Sequence, residues 1–429
     1  MDRMLIDRRK FIAGASTASG LLLLKSRTAF GSEANSAVRL GLLGCGNRGT
    51  SVATSFAKNT SARLVALADI FPDKLTTAKA HFDEVNASLG VPAIDPKLMF
   101  HGYKAFEELA ASPDVDAIQI STPPWFHVLH LEAVVAAGKH AYCEKPLGVD
   151  VAQTRHALEI GKRAEGRVSL DVGFQVRKAP PIAEVVRRIH AGALGKIAAI
   201  SAHYNAPAST YPDRPNMSAD EVRLRNWLWD RVLSGDILLE QNIHVIDICN
   251  WILQSHPIKA FATGGRNVIT HAGDCWDNYQ VIYTYPDDVH LSFSSTQFGA
   301  NGWFDVSESI FGSKGLAEAP YSGPVRIIGE NAWTWTEDTP AKPGGPTAAF
   351  AANGAFSDNL ALADREKDRA FIESITTGKF HNQVEDGVQS ALSCMLGRMA
   401  GQLGHEVSWD EQLQHGEVYK MDIDMTQFK

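Results

Sequence analysis

Val38-Arg39-Leu40-Gly41-Leu42-Leu43-Gly44-Cys45-Gly46-Asn47-Arg48-Gly49 is the stretch on which the fold turns. Its first half reads as a buried strand, and its second half is G-x-G-x-x-G opening a helical stretch through Lys58. Gly44 permits a tight turn, Gly46 removes the Cβ that would block a pyrophosphate, and Gly49 lets helix and strand approach. With Asn47 and Arg48 they form a turn whose helix N-terminus faces phosphates. A second strand makes the fingerprint more specific: Leu64-Val65-Ala66-Leu67-Ala68 ends in Asp69, about 20 residues on, where a ribose-binding acid belongs. Such a carboxylate accepts from the 2′- and 3′-hydroxyls and repels a 2′-phosphate, which favours NAD over NADP. Asp69 also reads as a cap for the helix after Phe71-Pro72, and Arg48 and Lys74 keep NADP open.

Working outward, Val115 to Ser121 reads as a third strand, followed by Thr122-Pro123-Pro124-Trp125-Phe126-His127 and a helix to Ala137. A fourth, His140 to Cys143, delivers Glu144-Lys145-Pro146 at its carboxyl end, the edge of a doubly wound sheet where ligands collect. A helix from Val151 to Ala164 and a strand from Val168 to Val172 lead into Gly173-Phe174-Gln175-Val176-Arg177. Beyond it, alternation over Ile197 to Tyr204, Val281 to Tyr285, Val289 to Gln297 and Glu308 to Gly312 predicts a large, mostly antiparallel open sheet. Between those strands, Ser234 to Trp251 carries Glu240, His244 and Asp247 at helical i, i+4, i+7 spacing. Polar groups amid Ile, Leu, Val and Trp need partners if buried, and substrate hydroxyls would supply them. A core histidine or a metal-like ligand set are the competing readings of this face.

In this order, G-x-G-x-x-G, an acid after the second strand, Thr-Pro-x-x-x-His, Gly-Lys-His and Glu-Lys-Pro resemble the Gfo/Idh/MocA oxidoreductases, over essentially the whole chain after the leader. The resemblance implies an α/β fold: a Rossmann doubly wound parallel sheet over residues 38–172, then an α+β substrate and oligomerisation domain over 173–429. It implies that Lys145 reaches both the nicotinamide ribose and the substrate hydroxyl, with Thr122, Pro123, His127 and Glu144 beside the cofactor. His244 inherits the proton-transfer role, and Glu240 stands where Asp is usual, so its positioning role is the departure. Gln175, Arg177, Asn242 and Asp247 are assigned to substrate, although Arg177 reads equally as an interface ion pair. Such open sheets often pair subunits, so a homo-oligomer is expected.

Chain length of 429 residues, 45% hydrophobic and 21% charged, suits two soluble domains. A net charge of −8 without a basic cluster excludes a nucleic-acid surface. Five Cys without metal spacing, three of them (Cys45, Cys143, Cys249) in apolar runs, read as buried thiols. No metal is expected. Residues 1–37 read as a twin-arginine signal peptide: Arg8-Arg9-Lys10-Phe11-Ile12, an apolar run to Leu24, and small residues from Ala29 to Ala37 as a cleavage zone. The apolar run is shorter than the roughly 20 residues a spanning helix needs, so no stable membrane insertion is expected after cleavage. Periplasmic or other export of an already folded enzyme would make its dinucleotide a resident cofactor. The leading expectation is oxidation of a secondary hydroxyl on a sugar, inositol or related polyol. Redox-neutral glycoside cleavage through transient oxidation and elimination, and a non-catalytic dinucleotide-binding protein, are the alternatives.

Overall fold

A computed structural model describes residues 37–300, 303–336 and 357–429. The arginine pair, the apolar run and nearly all of the cleavage zone of the leader lie outside the described residues. So does most of the Gly- and Pro-rich region from 319 to 356, of which 319–336 is described. No helix among the described residues is long and apolar enough to cross a membrane.

The first sheet has six parallel strands: β1 (Arg39–Leu43), β2 (Arg63–Asp69), β3 (Met99–His101), β4 (Ala117–Ile120), β5 (His140–Cys143) and β6 (Leu170–Val172). Their order, β3-β2-β1-β4-β5-β6, reverses direction beside β1, which places a crevice at the carboxyl ends of β1 and β4. Continuous apolar runs form these strands because helices bury both faces. Every residue of β4 and β5 except His140 is buried. Sequence periodicity did not reveal β3, a three-residue edge strand whose residues are half-buried or exposed.

The second sheet has nine strands: β7 (Ile197–Pro207), β8 (Lys259–Gly265), β9 (Asn278–Thr284), β10 (His290–Gly299), β11 (Asp305–Gly312), β12 (Gly315–Glu318), β13 (Arg326–Gly329), β14 (Trp333–Thr334) and β15 (Val407–Ser408). Their order is β14-β13-β12-β11-β7-β10-β9-β8-β15. All pairs are antiparallel except β7 with β10. Alternation in β9 and β10 reflects one buried face of the sheet, on which the helix Val384–Leu403 packs over β8 and β9 and the helix Ile243–Leu253 over β7 and β11. All five cysteines are buried free thiols. β13 and β14 lie in the described part of the Gly- and Pro-rich region and extend the sheet edge.

Candidate active site

The glycine turn fits a dinucleotide. Gly44 has φ +93°, and a Cβ there would stand 2.6 Å from the Ser121 backbone. A Cβ on Gly49 would meet the Gly44 carbonyl oxygen at 2.1 Å, whereas one on Gly46 would meet nothing within 4 Å. Gly46 is therefore small for the sake of open space above it, which is where a pyrophosphate must approach. The helix Asn47–Asn59 starts there with no side-chain cap and no acid in its first turn, leaving its N–H groups to an anion.

Asp69 ends β2 and is 9% exposed. One carboxylate oxygen accepts from Cys45 N at 2.7 Å and the other from Phe71 N at 2.8 Å. The carboxylate thus braces the glycine turn and the entry of the next helix at once, while lining the cleft. Burial raises its pKa from the ordinary range, against the pull of those two amides. Arg48 is engaged elsewhere: its Nε donates to Glu144 at 2.9 Å and its two terminal nitrogens grip Asp364, each at 2.9 Å. That clamp takes away the stronger of the two cations that kept NADP open; Lys74 still lines the cleft.

The cleft, about 1390 Å³, runs from the glycine turn past Thr122, Pro123 and Glu144 to Lys145, Glu240 and His244. Lys145 Nζ donates to the Glu240 carboxylate at 2.7 Å and to the Glu240 carbonyl oxygen. Both side chains are 12% exposed. His244 is 8% exposed, and burial, with the charges of Lys145 and Arg48, holds its pKa well below the ordinary value. Its ring is neutral and its Nδ1 is buried without a hydrogen-bond partner. Gln175 Oε1, Gln241 Oε1 and Tyr321 Oη are among the further cleft-lining atoms that share that condition. Tyr204 lines the same end from β7, its phenol pKa raised by burial and by the negative charge of Glu240. Among the described residues no group of three His, Cys, Asp or Glu is placed to hold a metal ion.

Four assigned residues are not brought to the cleft. Arg177 pairs with Asp247 through two bonds of 2.7 and 2.8 Å and with Asp386 at 2.8 Å, and Ser390 donates to Asp247. The structure thus takes the ion-pair reading of Arg177 and binds Asp247 into the same network. Asn242, 1% exposed, lines no part of the cleft, and both its amide atoms are unpartnered. His127 is buried with its ring nitrogens 2.8 Å from the Pro146 carbonyl and 2.7 Å from that of Thr122. Burial draws its pKa down to about 4, so a neutral ring donates to one carbonyl at a time and ties the Thr122 turn to the Lys145-Pro146 turn. Sequence reasoning missed Gln241, Tyr204 and Tyr321. Tyr204 was readable as the inward end of an alternating strand, but Tyr321 carried no signal.

Comparison with known proteins gives the family. Residues 38–172 match the model of the oxidoreductase family with NAD-binding Rossmann fold, and residues 182–318 match the GFO/IDH/MocA C-terminal domain. Inositol 2-dehydrogenase of Rhizobium meliloti is 28% identical over 293 residues, 68% of this chain and 78% of that protein. Myo-inositol 2-dehydrogenase of Thermotoga maritima is 26% identical over 371 residues, 86% of this chain and 94% of that one. The crystal structure of scyllo-inositol dehydrogenase from Lactobacillus casei with bound NAD(H) and scyllo-inositol superposes with a TM-score of 0.64 at 22% identity, covering 87% of this chain and 99% of that one. The chain belongs to the Gfo/Idh/MocA oxidoreductases, with an NAD-binding Rossmann fold and the family's C-terminal domain.

Proposed function

We propose that the protein oxidises a secondary hydroxyl of a sugar, inositol or related polyol, using NAD as a resident cofactor after twin-arginine export. The observation that carries this reading is the cluster of buried, unpartnered polar atoms on Gln175, Gln241, His244 and Tyr321 in one cleft with the Lys145–Glu240 pair. Buried polar atoms without partners are costly, and a ligand with several hydroxyls would satisfy these together. The inositol dehydrogenases among the relatives support the same substrate class.

The chemistry follows from the protonation states. Lys145 has three N–H donors, and two are spent on Glu240, which leaves one for the substrate hydroxyl. Glu240 thereby fixes where that donor points. His244, neutral and desolvated, takes the hydroxyl proton, a role worth roughly 10²–10⁴-fold in rate. When bound, NAD would supply the acceptor for the hydride that leaves the same carbon, and because it stays resident a second, carbonyl-bearing substrate must take that hydride back for the next turnover. Arg48, held by Glu144 and Asp364, stiffens the turn under the pyrophosphate.

A homo-oligomer is proposed with this activity, supported by exposed apolar residues on one face of the large sheet. Phe261 and Ile282, opposite each other on β8 and β9, are 48% and 44% exposed, and Phe311 and Ile328 lie on the same face on the far side of β10 and β7.

The test is a screen of polyols, sugars and glycosides against protein purified with its own cofactor. NADH absorbance appearing with one polyol is the expected result. Sugar released from a glycoside with no net NADH would replace oxidation by redox-neutral cleavage. Export is tested by placing residues 1–37 before a reporter that reaches the periplasm only when folded.

A further inference from the structure

Past Asp69 the cleft continues into a slot that the glycine fingerprint does not build. Ile70 and Phe71, directly after Asp69, line it, together with Leu224 and Arg225 from the segment beyond β7 and Met421 and Met425 from the end of the chain. Phe71, Leu224, Met421 and Ile423 belong to an apolar cluster separate from the two main cores. In a dinucleotide domain the adenine end of the cofactor lies beside the acid that ends the second strand, and we propose that the C-terminal tail, from Tyr419 onward, closes this slot over it and straps the bound NAD in place. The proposal rests on the resident-cofactor reading above.

The tail is fastened at both ends. Tyr419 N donates to Asp150 at 2.8 Å at one end, and Tyr103 N donates to the Phe428 carbonyl oxygen at 2.9 Å at the other. Phe428 packs edge-on against Phe71, centroids 5.8 Å apart. Gln427 donates to Asp220 at 2.8 Å and accepts from Ser218 at 3.1 Å, which joins the tail to the segment carrying Arg225. The Arg225 guanidinium lies 3.8 Å over the Phe71 ring and pairs with Asp73 through two bonds and with Glu221 through one. Its charge is thus neutralised, so the slot offers apolar and polarisable surface, with no free cation from this arginine. An uncharged flat base suits thioethers and aromatic rings. The slot also adjoins Asp69, whose carboxylate stands where the adenosine ribose must pass. Leaving it requires the tail to lift, so cofactor release is coupled to opening the chain's own terminus.

The test uses the full-length protein with its co-purified NAD, a variant ending at Lys420, and the point variant Met421→Gln. Isotope-labelled NAD is added and the bound cofactor is followed by mass analysis, with thermal unfolding as a check of folding. NAD-stripped samples are titrated with adenosine monophosphate and with nicotinamide mononucleotide. Both variants should exchange NAD about tenfold or more faster than the parent. They should also weaken the adenine mononucleotide by about tenfold while sparing the nicotinamide one. If the truncation does not fold, Met421→Gln carries the test alone. A parent that holds NAD while folded variants exchange at the same rate and bind adenosine monophosphate equally overturns the slot and leaves resident NAD standing. A parent that exchanges NAD as fast as it can be mixed overturns the resident-cofactor reading, and the strap with it.

Discussion

Lys145→Met keeps most of the stem volume and deletes the charge, which leaves the Glu240 carboxylate, 12% exposed, without its cation and the Glu240 carbonyl without its donor. Removing one partner of a buried pair costs about 3–5 kcal/mol. The residual exposure lets water recover part of that, so about 2–3 kcal/mol is expected here. With an unfolding entropy of about 2 cal/mol/K per residue over the roughly 370 described residues, the loss lowers Tm by about 3 °C. Glu240→Gln strands the ammonium in the same way and costs a similar amount. The double variant Lys145→Met with Glu240→Gln strands no charge, so its loss should be smaller than the sum of the singles by about 1.5–3 kcal/mol. Scanning calorimetry of the four NAD-free proteins measures this cycle, and turnover is read alongside it. Both Lys145 variants should lose about 10²–10⁴-fold in kcat. Additive Tm shifts would show that the two charges are not coupled, and turnover within a few-fold of the parent would remove Lys145 from the chemistry.

Two glycines separate fold from cofactor: Gly46→Ala should leave NAD-free stability unchanged and weaken NAD about 10-fold or more, by titration, because its Cβ meets only the space meant for phosphate. Gly49→Ala should instead cost about 1–3 kcal/mol of stability, since its Cβ falls on the Gly44 carbonyl. His244→Asn should reduce kcat by about 10²–10⁴-fold while the bound NAD measured by mass analysis stays near parent level. Glu308 is 1% exposed with both oxygens unpartnered, and burial raises its pKa well above the ordinary value. An acid so raised supports the fold fully below its unfolded pKa of about 4.3 and loses about 1.4 kcal/mol per pH unit above it, until the folded form ionises. Glu308→Gln should therefore be more stable than the parent at neutral pH, and denaturation midpoints across pH 4 to 7 (about the span between carboxyl and neutral titration) should flatten. Lys367→Met takes from Asp171, 0% exposed, the ammonium that holds its pKa down against burial and leaves it the His381 ring at 3.2 Å, and should cost about 3 kcal/mol by calorimetry, the low end for a broken buried pair.

The first sheet was legible because burial on both faces leaves continuous apolar runs, and because each glycine of the turn answers a local steric demand. The crevice followed from strand order, with Asp69, Thr122 and Lys145 already readable at strand ends in the sequence. The rest was hidden where a residue's role depends on partners far along the chain. Arg48 reads alone as a phosphate or 2′-phosphate ligand, yet Asp364, more than three hundred residues away, occupies it. His127 opens a helix in a motif that suggests cofactor contact, yet two carbonyls from separate turns enclose its ring. Tyr321 enters the site only because β11 and its neighbours bring the following loop back over the cleft.

The i, i+4, i+7 reading of Glu240, His244 and Asp247 shows where periodicity stops carrying information. Seven residues of helix rise about 10.5 Å, so even a straight helix places Asp247 two turns from Glu240. The segment is also not straight: Ile237–Glu240 ends at Gln241 and Asn242, and a new helix begins at Ile243. Glu240 therefore closes one short helix against Lys145, and His244 opens the next facing the cleft. Asp247 falls behind, where Arg177 and Ser390 take both its oxygens. Arg177 lies 5.7 Å over the Phe174 ring, and Phe174 stands edge-on to His244 at 6.3 Å. The ion pair consequently supports the wall against which the His244 ring rests, so residues read from the sequence as substrate ligands instead brace the histidine proposed as the proton acceptor.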